Sequence, residues 1–189
     1  MNKNRFRSRR LRAGALLAIG LLCGTALQAQ DNAALQALRD ADQADRRAGV
    51  NAIDWSIVAP RDEQRRAAVV ELVRTGQLRT ATDYANAALI YQHGATADEI
   101  RTALALATLA LTLEPQHASA RWLSLAAWDR LLMREGRPQW WGTQFHKNAQ
   151  GRWELYPVDD DAVTDTRRIE MGLPTLTDAR ERGERMNRR

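Results

Sequence analysis

The residue types in this chain that could hold a charged ligand or move a proton fall in short polar blocks. These are D-Q-A-D-R at Asp42 to Arg46, Gln92-His93, Asp129-Arg130, Q-W-W-G-T-Q at Gln139 to Gln144, and R-R-I-E-M-G-L-P at Arg167 to Pro174. Asp42 and Asp45 stand one helical turn apart. Paired carboxylates divide acid and base roles only where their surroundings push the two pKa values apart, and Asp42 is equally spaced to pair with Arg46 on a solvated face. His93 closes a helix, where the dipole favours imidazolium; it is either a capping group or a base working near neutral pH. Gln92 points to the side of Leu89 and Ala85.

Asp129 is the most informative of these groups. Trp122, Leu125, Ala126, Leu132 and Met133 lie three, four or seven positions away, which puts its carboxylate on an apolar face. A buried charge needs a partner, so one of Arg46, Arg130, Arg167 and Arg168 is expected beside it, arginine's planar fork suiting a carboxylate well. Asp129 is then either a staple between helices or a carboxylate held ready for a ligand cation or a proton. Gln139, Gly142, Thr143 and Gln144, flanked by Trp140 and Trp141, set amides and a hydroxyl between aromatic faces. That mixture suits recognition of a sugar or peptide, and it equally suits a bend into a hairpin. The acid–base candidates are therefore His93, Asp129 and Asp42. The ligand-binding candidates are Asp42, Asp45, Arg46, Gln92, His93, Asp129, Arg130, Gln139, Trp141, Gln144, Arg167 and Arg168.

Other chemistry has little to work with. His93, His117 and His146 are widely spaced and form no H-x-x-x-H pair, so no metal is expected. The chain contains no G-x-S-x-G elbow, phosphate-cradling glycine loop, H-E-x-x-H pair or dinucleotide fingerprint, and no cofactor is expected.

Helices must position these blocks, because apolar residues recur at helical spacing almost throughout. A first helix spans Asp31 to Gly49, with Leu35 and Leu38 on a stripe that turns acidic at Asp42 and Asp45. A second begins near Asp62, after Pro60, and stops at Gly76. A third runs from Thr82 or Asp83 to His93, and a fourth opens on the Thr96–Glu99 capping box. The fourth reads A-L-A-L-A-T-L-A-L-T-L from Ala103 to Leu113, apolar on nearly every side, which predicts a central helix. A fifth spans Ala118 to Arg134. Residues Trp141 to Lys147 and Arg152 to Val158 alternate around a turn, predicting a β-hairpin packed on the helices. Asp159 to Asp161 then lead into a helix ending at Met171. The candidate groove lies between the first helix, the end of the third and the hairpin.

The N-terminus sets the compartment. Six basic residues, from Lys3 to Arg12, precede an apolar run from Ala13 to Leu27, and Ala29 follows at a cut site. That layout predicts a cleaved export signal over 1–29, and the run falls short of the ~20 residues that span a bilayer. Ser8, Arg9 and Arg10 resemble part of a twin-arginine signal without the apolar pair that should follow it. Leu22 before Cys23, where a small residue is wanted, argues against lipidation. The chain carries 28 basic and 23 acidic residues, but 1–29 hold six of the basic ones, leaving 22 against 23. A near-neutral mature chain disfavours nucleic acid as partner. Its only cysteine, Cys23, leaves with the signal.

Taken together, the blocks resemble an uncharacterised bacterial family, a domain of unknown function, from Asp42 to Leu176. The G-x-x-Q-x-x-G-T-Q run from Gly136 is the most specific part of that likeness. Members usually carry tyrosine where this chain has Trp141, and the resemblance implies no established activity. Residues 82 to 135, with small residues and L-x-L-x-P before a second helix, are similar to tetratricopeptide-type helical hairpins. The expectation is a mainly α fold, a compact helical bundle with one repeat-like helical hairpin and a small C-terminal β-hairpin. One domain covers 30–176 including the hairpin at 141–158, and a charged tail over 177–189 is frayed. The expected protein is periplasmic or secreted, with no membrane insertion after signal cleavage. It binds a peptide, glycan or envelope protein without chemistry of its own. An unfamiliar enzyme or a purely structural domain are the alternatives.

Overall fold

The computed structural model describes residues 29–47, 49 and 51–188. Apart from Ala29, the expected export signal, with Cys23, lies outside them. The described chain is mainly helical with one small antiparallel hairpin, in the order α1 (Ala33–Ala44), α2 (Trp55–Arg74), α3 (Ala81–Gln92), α4 (Ala97–Leu113), α5 (Ala118–Arg134), β1 (Phe145–Lys147), β2 (Trp153–Leu155), α6 (Asp165–Glu170) and α7 (Leu176–Met186). No described helix is long and apolar enough to cross a membrane.

Short loops between consecutive helices make neighbours antiparallel, so α1, α3 and α5 point their C-termini to the same end. The contacts follow suit. Asn32 meets Asp83 at the start of α1 and α3, Asn86 meets Gln36 halfway, and His93 meets Asp42 at the far end. Asp83 is buried and ties the near end together, accepting from the backbone N–H of Asn32 at 2.7 Å, Arg79 at 2.9 Å and Thr80 at 3.1 Å. It also completes a capping box with Thr80, which starts α3 before the expected Thr82. A main core of Leu35, Val69, Leu78, Ile90, Leu106 and Leu123 fills the space between the helices, with alanines such as Ala88 and Ala107 letting α3 and α4 approach closely.

Several expectations need correction. α2 begins at Trp55, not near Asp62, and carries Pro60 inside it. Asp54 caps it instead, accepting from Ser56 N at 3.0 Å. Helix α1 stops at Ala44, short of Gly49. α4 is not surrounded. It packs between α3 and α5 through Ile100, Ala103, Ala107 and Ala110, while Leu109 and Leu113 are about half exposed at 48% and 56%. The strands are shorter than expected, because 139–144 folds as a loop, and register pairs Phe145 with Leu155 and Lys147 with Trp153.

The tail expected to be frayed forms most of α7. Leu176, Ala179 and Gly183 recur at helical spacing and are buried; the stripe is narrow and two of its members are small, so it carries little apolar signal in the sequence. Asn187 then clasps β2, accepting from Trp153 N at 2.7 Å and donating to Trp153 O at 2.8 Å. Gly183 is needed because a side chain there would start 3.2 Å from Glu154 Cα. Gly183→Val should therefore lift α7 off the hairpin and lower the melting temperature. Limited proteolysis should then cut within 176–186, and an unchanged cleavage pattern would contradict this packing.

Candidate functional site

The sequence blocks sort into two clusters on either side of α5. The first builds a loop. Asp129 is fully buried and accepts four hydrogen bonds, from the backbone N–H of Trp140 and Trp141 at 2.9 Å each, Thr143 N at 3.0 Å and Thr143 Oγ1 at 2.8 Å. Among the described residues no arginine lies within ion-pair distance; Arg168, one of the expected partners, feels its charge from nearby, but the hydrogen bonds come from backbone amides and the Thr143 hydroxyl brought round by the Trp140–Thr143 turn. Burial pushes its carboxyl up, against the four donors that pull it down. Arg168, also buried, grips the same turn from the other side, donating to Trp140 O at 2.7 Å, Trp141 O at 3.4 Å and Val163 O.

Gln139 and Gln144 close this loop on itself. Gln139 Nε2 donates to Gln144 O at 3.0 Å and Tyr156 O at 2.8 Å, and its Oε1 accepts from Gln144 N at 2.8 Å. Gln144 Nε2 reaches Ala126 O at 3.2 Å. Gly142 sits at φ +71°, and a Cβ there would lie 3.0 Å from Leu176 Cδ2. Asp129, Gln139, Gln144 and Arg168 thus spend their polar groups inside the protein. Trp141 contributes backbone groups, and Arg167 is exposed and pairs with Glu170 at 2.9 Å.

The second cluster lies where α1, α3 and α5 end together. Asp42 is fully buried and accepts from Gln43 Nε2 at 2.8 Å and Arg46 Nη1 at 3.1 Å, with His93 Nδ1 2.9 Å from its Oδ1. Arg46 bridges onward to Asp62 at 2.5 Å, and Arg65 joins Asp62 at 2.7 Å to Asp45, which also takes Arg61 at 2.8 Å. This network bolts α1 to α2 and α3. Sequence reasoning missed Asp62 and Arg65, although their spacing on one helix face was a usable signal. Burial raises Asp42, but the hydrogen bond and charge of His93, with Arg46 and Gln43, outweigh it and hold the carboxyl below its usual range. The Arg65 hydrogen bond likewise lowers Asp45.

Two groups at this end are left over. Gln92 is buried and its Oε1 has no hydrogen-bond partner among the described residues, and Arg130 Nε is sealed from solvent in the same condition. Arg130 has no ion pair among the described residues. Burial, with the like charges of Arg134 and Arg46, pushes it down to about 10. His93 offers its second nitrogen on a side chain 20% exposed. The arrangement leaves one donor, Arg130 Nε, and one acceptor, Gln92 Oε1, unspent beside a cation without an ion pair among the described residues, which a ligand with an anionic group could satisfy. No cluster of metal-ligating side chains occurs among the described residues.

 

Asp42→Asn should cost about 3 kcal/mol at neutral pH, since it removes the buried carboxylate that Arg46 shares with Asp62 and that His93 contacts. A carboxylate with a depressed folded pKa stabilises the fold above its unfolded value of about 3.9, and that stabilisation is lost as pH falls through the folded value. The variant should therefore show a shallower loss of stability below about pH 4 in a series of urea melts. An acid limb as steep as the parent's would show that Asp42 is not charged in the fold. Asp129→Asn should cost about 2 kcal/mol, because an amide N–H would face Thr143 or Trp141 donors; an unchanged urea midpoint would contradict the four-bond geometry. Comparison with known proteins assigns no family, since no family model, curated protein or solved structure matches this chain.

Proposed function

We propose that this chain is an exported binding module. The end of the bundle formed by Gln92, His93, Arg46 and Arg130 would receive an anionic group carried by a peptide, glycan or envelope protein. One observation carries the reading: Arg130 is half-buried beside two other arginines, its Nε is sealed from solvent without a hydrogen-bond partner, and it has no carboxylate partner among the described residues. Of the other cations at this end, Arg46 holds Asp42 and Asp62 and Arg65 holds Asp62 and Asp45, while Arg134 is exposed. A cation left uncompensated costs stability, so a group of this kind belongs to binding rather than to packing.

A second reading, an acid–base enzyme, is favoured by the Asp42–His93 contact alone. A carboxylate on one imidazole nitrogen orients the ring and leaves the other free to exchange a proton with a bound molecule. The two readings part on whether a captured ligand is recovered intact, which mass spectrometry of the complex after prolonged incubation decides.

Arg130→Met keeps the length and apolar stem of the side chain while removing its charge. It should raise stability by roughly 1 kcal/mol in the absence of ligand. It should also abolish the rise in melting temperature that phosphate, sulfate or citrate gives the parent protein. A variant that is destabilised, or that still responds to these anions, would show Arg130 to be a packing residue.

A further inference from the structure

A groove of about 620 Å³ lies open between α1, α3 and α5, and no part of the fold uses it. The helix order creates it, because α1 and α5 both pack against α3 and rise on either side of it. The floor is one face of α3, Thr82, Ala85, Asn86 and Leu89 at i, i+3, i+4 and i+7, and the short side chains of Ala85 and Asn86 leave the space between the walls unfilled. Small-ligand sites commonly have volumes of about 300–1,000 Å³. None of Arg46, Gln92, His93 and Arg130 lines the groove, so it stands apart from the anion site.

The α5 wall carries Trp122, 42% exposed, which leaves an indole face open inside a concavity. A large apolar surface in that position gains by being covered. The polar groups around it are held in fixed orientations. Asn86 Nδ2 donates to Gln36 Oε1 at 3.0 Å and Gln36 Nε2 donates to Asp40 at 2.9 Å, so both amide planes are set and Asn86 Oδ1 is left as an acceptor. Across the groove, His117 Nδ1 accepts from Ala120 N at 3.2 Å, which puts the proton of the neutral ring on Nε2 and makes that nitrogen a donor. The arginine of the lining, Arg39, is already paired with Asp40 at 2.9 Å, and no carboxylate among the described residues lines the groove.

Such a lining offers little to a charged ligand and much to a neutral one that both donates and accepts. A pyranose with equatorial substituents has that pattern: hydroxyls around its edge, and a flat face of C–H groups that stacks on an indole. A peptide fits less well. Helical walls present no backbone edge for strand addition, and a docked peptide helix needs an apolar trough where α1 offers Gln36, Arg39 and Gln43. We propose that the groove binds a neutral β-linked oligosaccharide, with one sugar ring stacked on Trp122 and hydroxyls of the chain bonded by Asn86 Oδ1 and His117 Nε2. The site is independent of the anion site, and either can exist without the other.

Calorimetric titration of the purified protein with cellotriose, chitotriose and an N-acetylated, C-amidated Ser-Ala hexapeptide tests it. At least one trisaccharide should bind, and more tightly than the peptide. Trp122→Ala should weaken that binding at least about tenfold, Trp122→Phe should keep it within about threefold, and Arg130→Met should leave it unchanged. In the parent protein the sugar's C–H resonances should also move upfield under the indole ring current, a readout that needs no variant. Binding of neither trisaccharide, absence of the upfield shift, affinity retained in Trp122→Ala, or affinity lost in Arg130→Met would each overturn the assignment. Tighter binding of the hexapeptide than of both sugars would make the occupant a peptide and overturn it too.

Discussion

A carboxylate taken out of water has to be met by donors, and this fold is arranged around three that are. Asp83, Asp42 and Asp129 are essentially inaccessible, and each joins segments that are distant in the chain. Asp83 fixes the start of α1 to the start of α3, Asp42 fixes the end of α1 to α2 and the end of α3, and Asp129 fixes α5 to the Trp140–Thr143 turn. The partners differ in kind: backbone amides for Asp83 and Asp129, side-chain cations and an imidazole for Asp42. That difference separates scaffold from site. Backbone amides cannot leave a carboxylate without unfolding the turn that presents them, whereas side chains can rearrange around a ligand.

With the carboxylates satisfied, the positive groups set the character of the molecule's two halves. Arg168 is spent on three carbonyls and closes the loop behind Asp129. Arg46 and Arg65 are spent on the aspartates of α1 and α2. Arg130 is spent on nothing among the described residues.

Much of this was legible in the sequence, in proportion to how local the signal was. The Thr96–Glu99 capping box and the extent of α5 follow from adjacent residues, and the structure has both. Asp42, equally readable as part of a solvated face, is fully buried, whereas the burial of Asp129 follows from apolar neighbours at helical spacing. What each aspartate bonds does not, because backbone donors carry no sequence signature; an arginine was expected beside Asp129 where a turn supplies amides. The start of α2 was hidden by Pro60, whose missing N–H is tolerated inside the helix once Asp54 caps it. α7 was hidden because its buried stripe includes Ala179 and Gly183, residues chosen for close approach to the hairpin rather than for apolar area.

The central claim is that Arg130 holds a positive charge with no ion-pair partner among the described residues. A crystal of the protein grown in bromide, with anomalous diffraction recorded at the bromine edge, tests it directly. A bromide peak within hydrogen-bond distance of the Arg130 guanidinium is the result this account predicts. An Arg130 side chain paired with a carboxylate of its own chain, with no anomalous peak beside it, would contradict it.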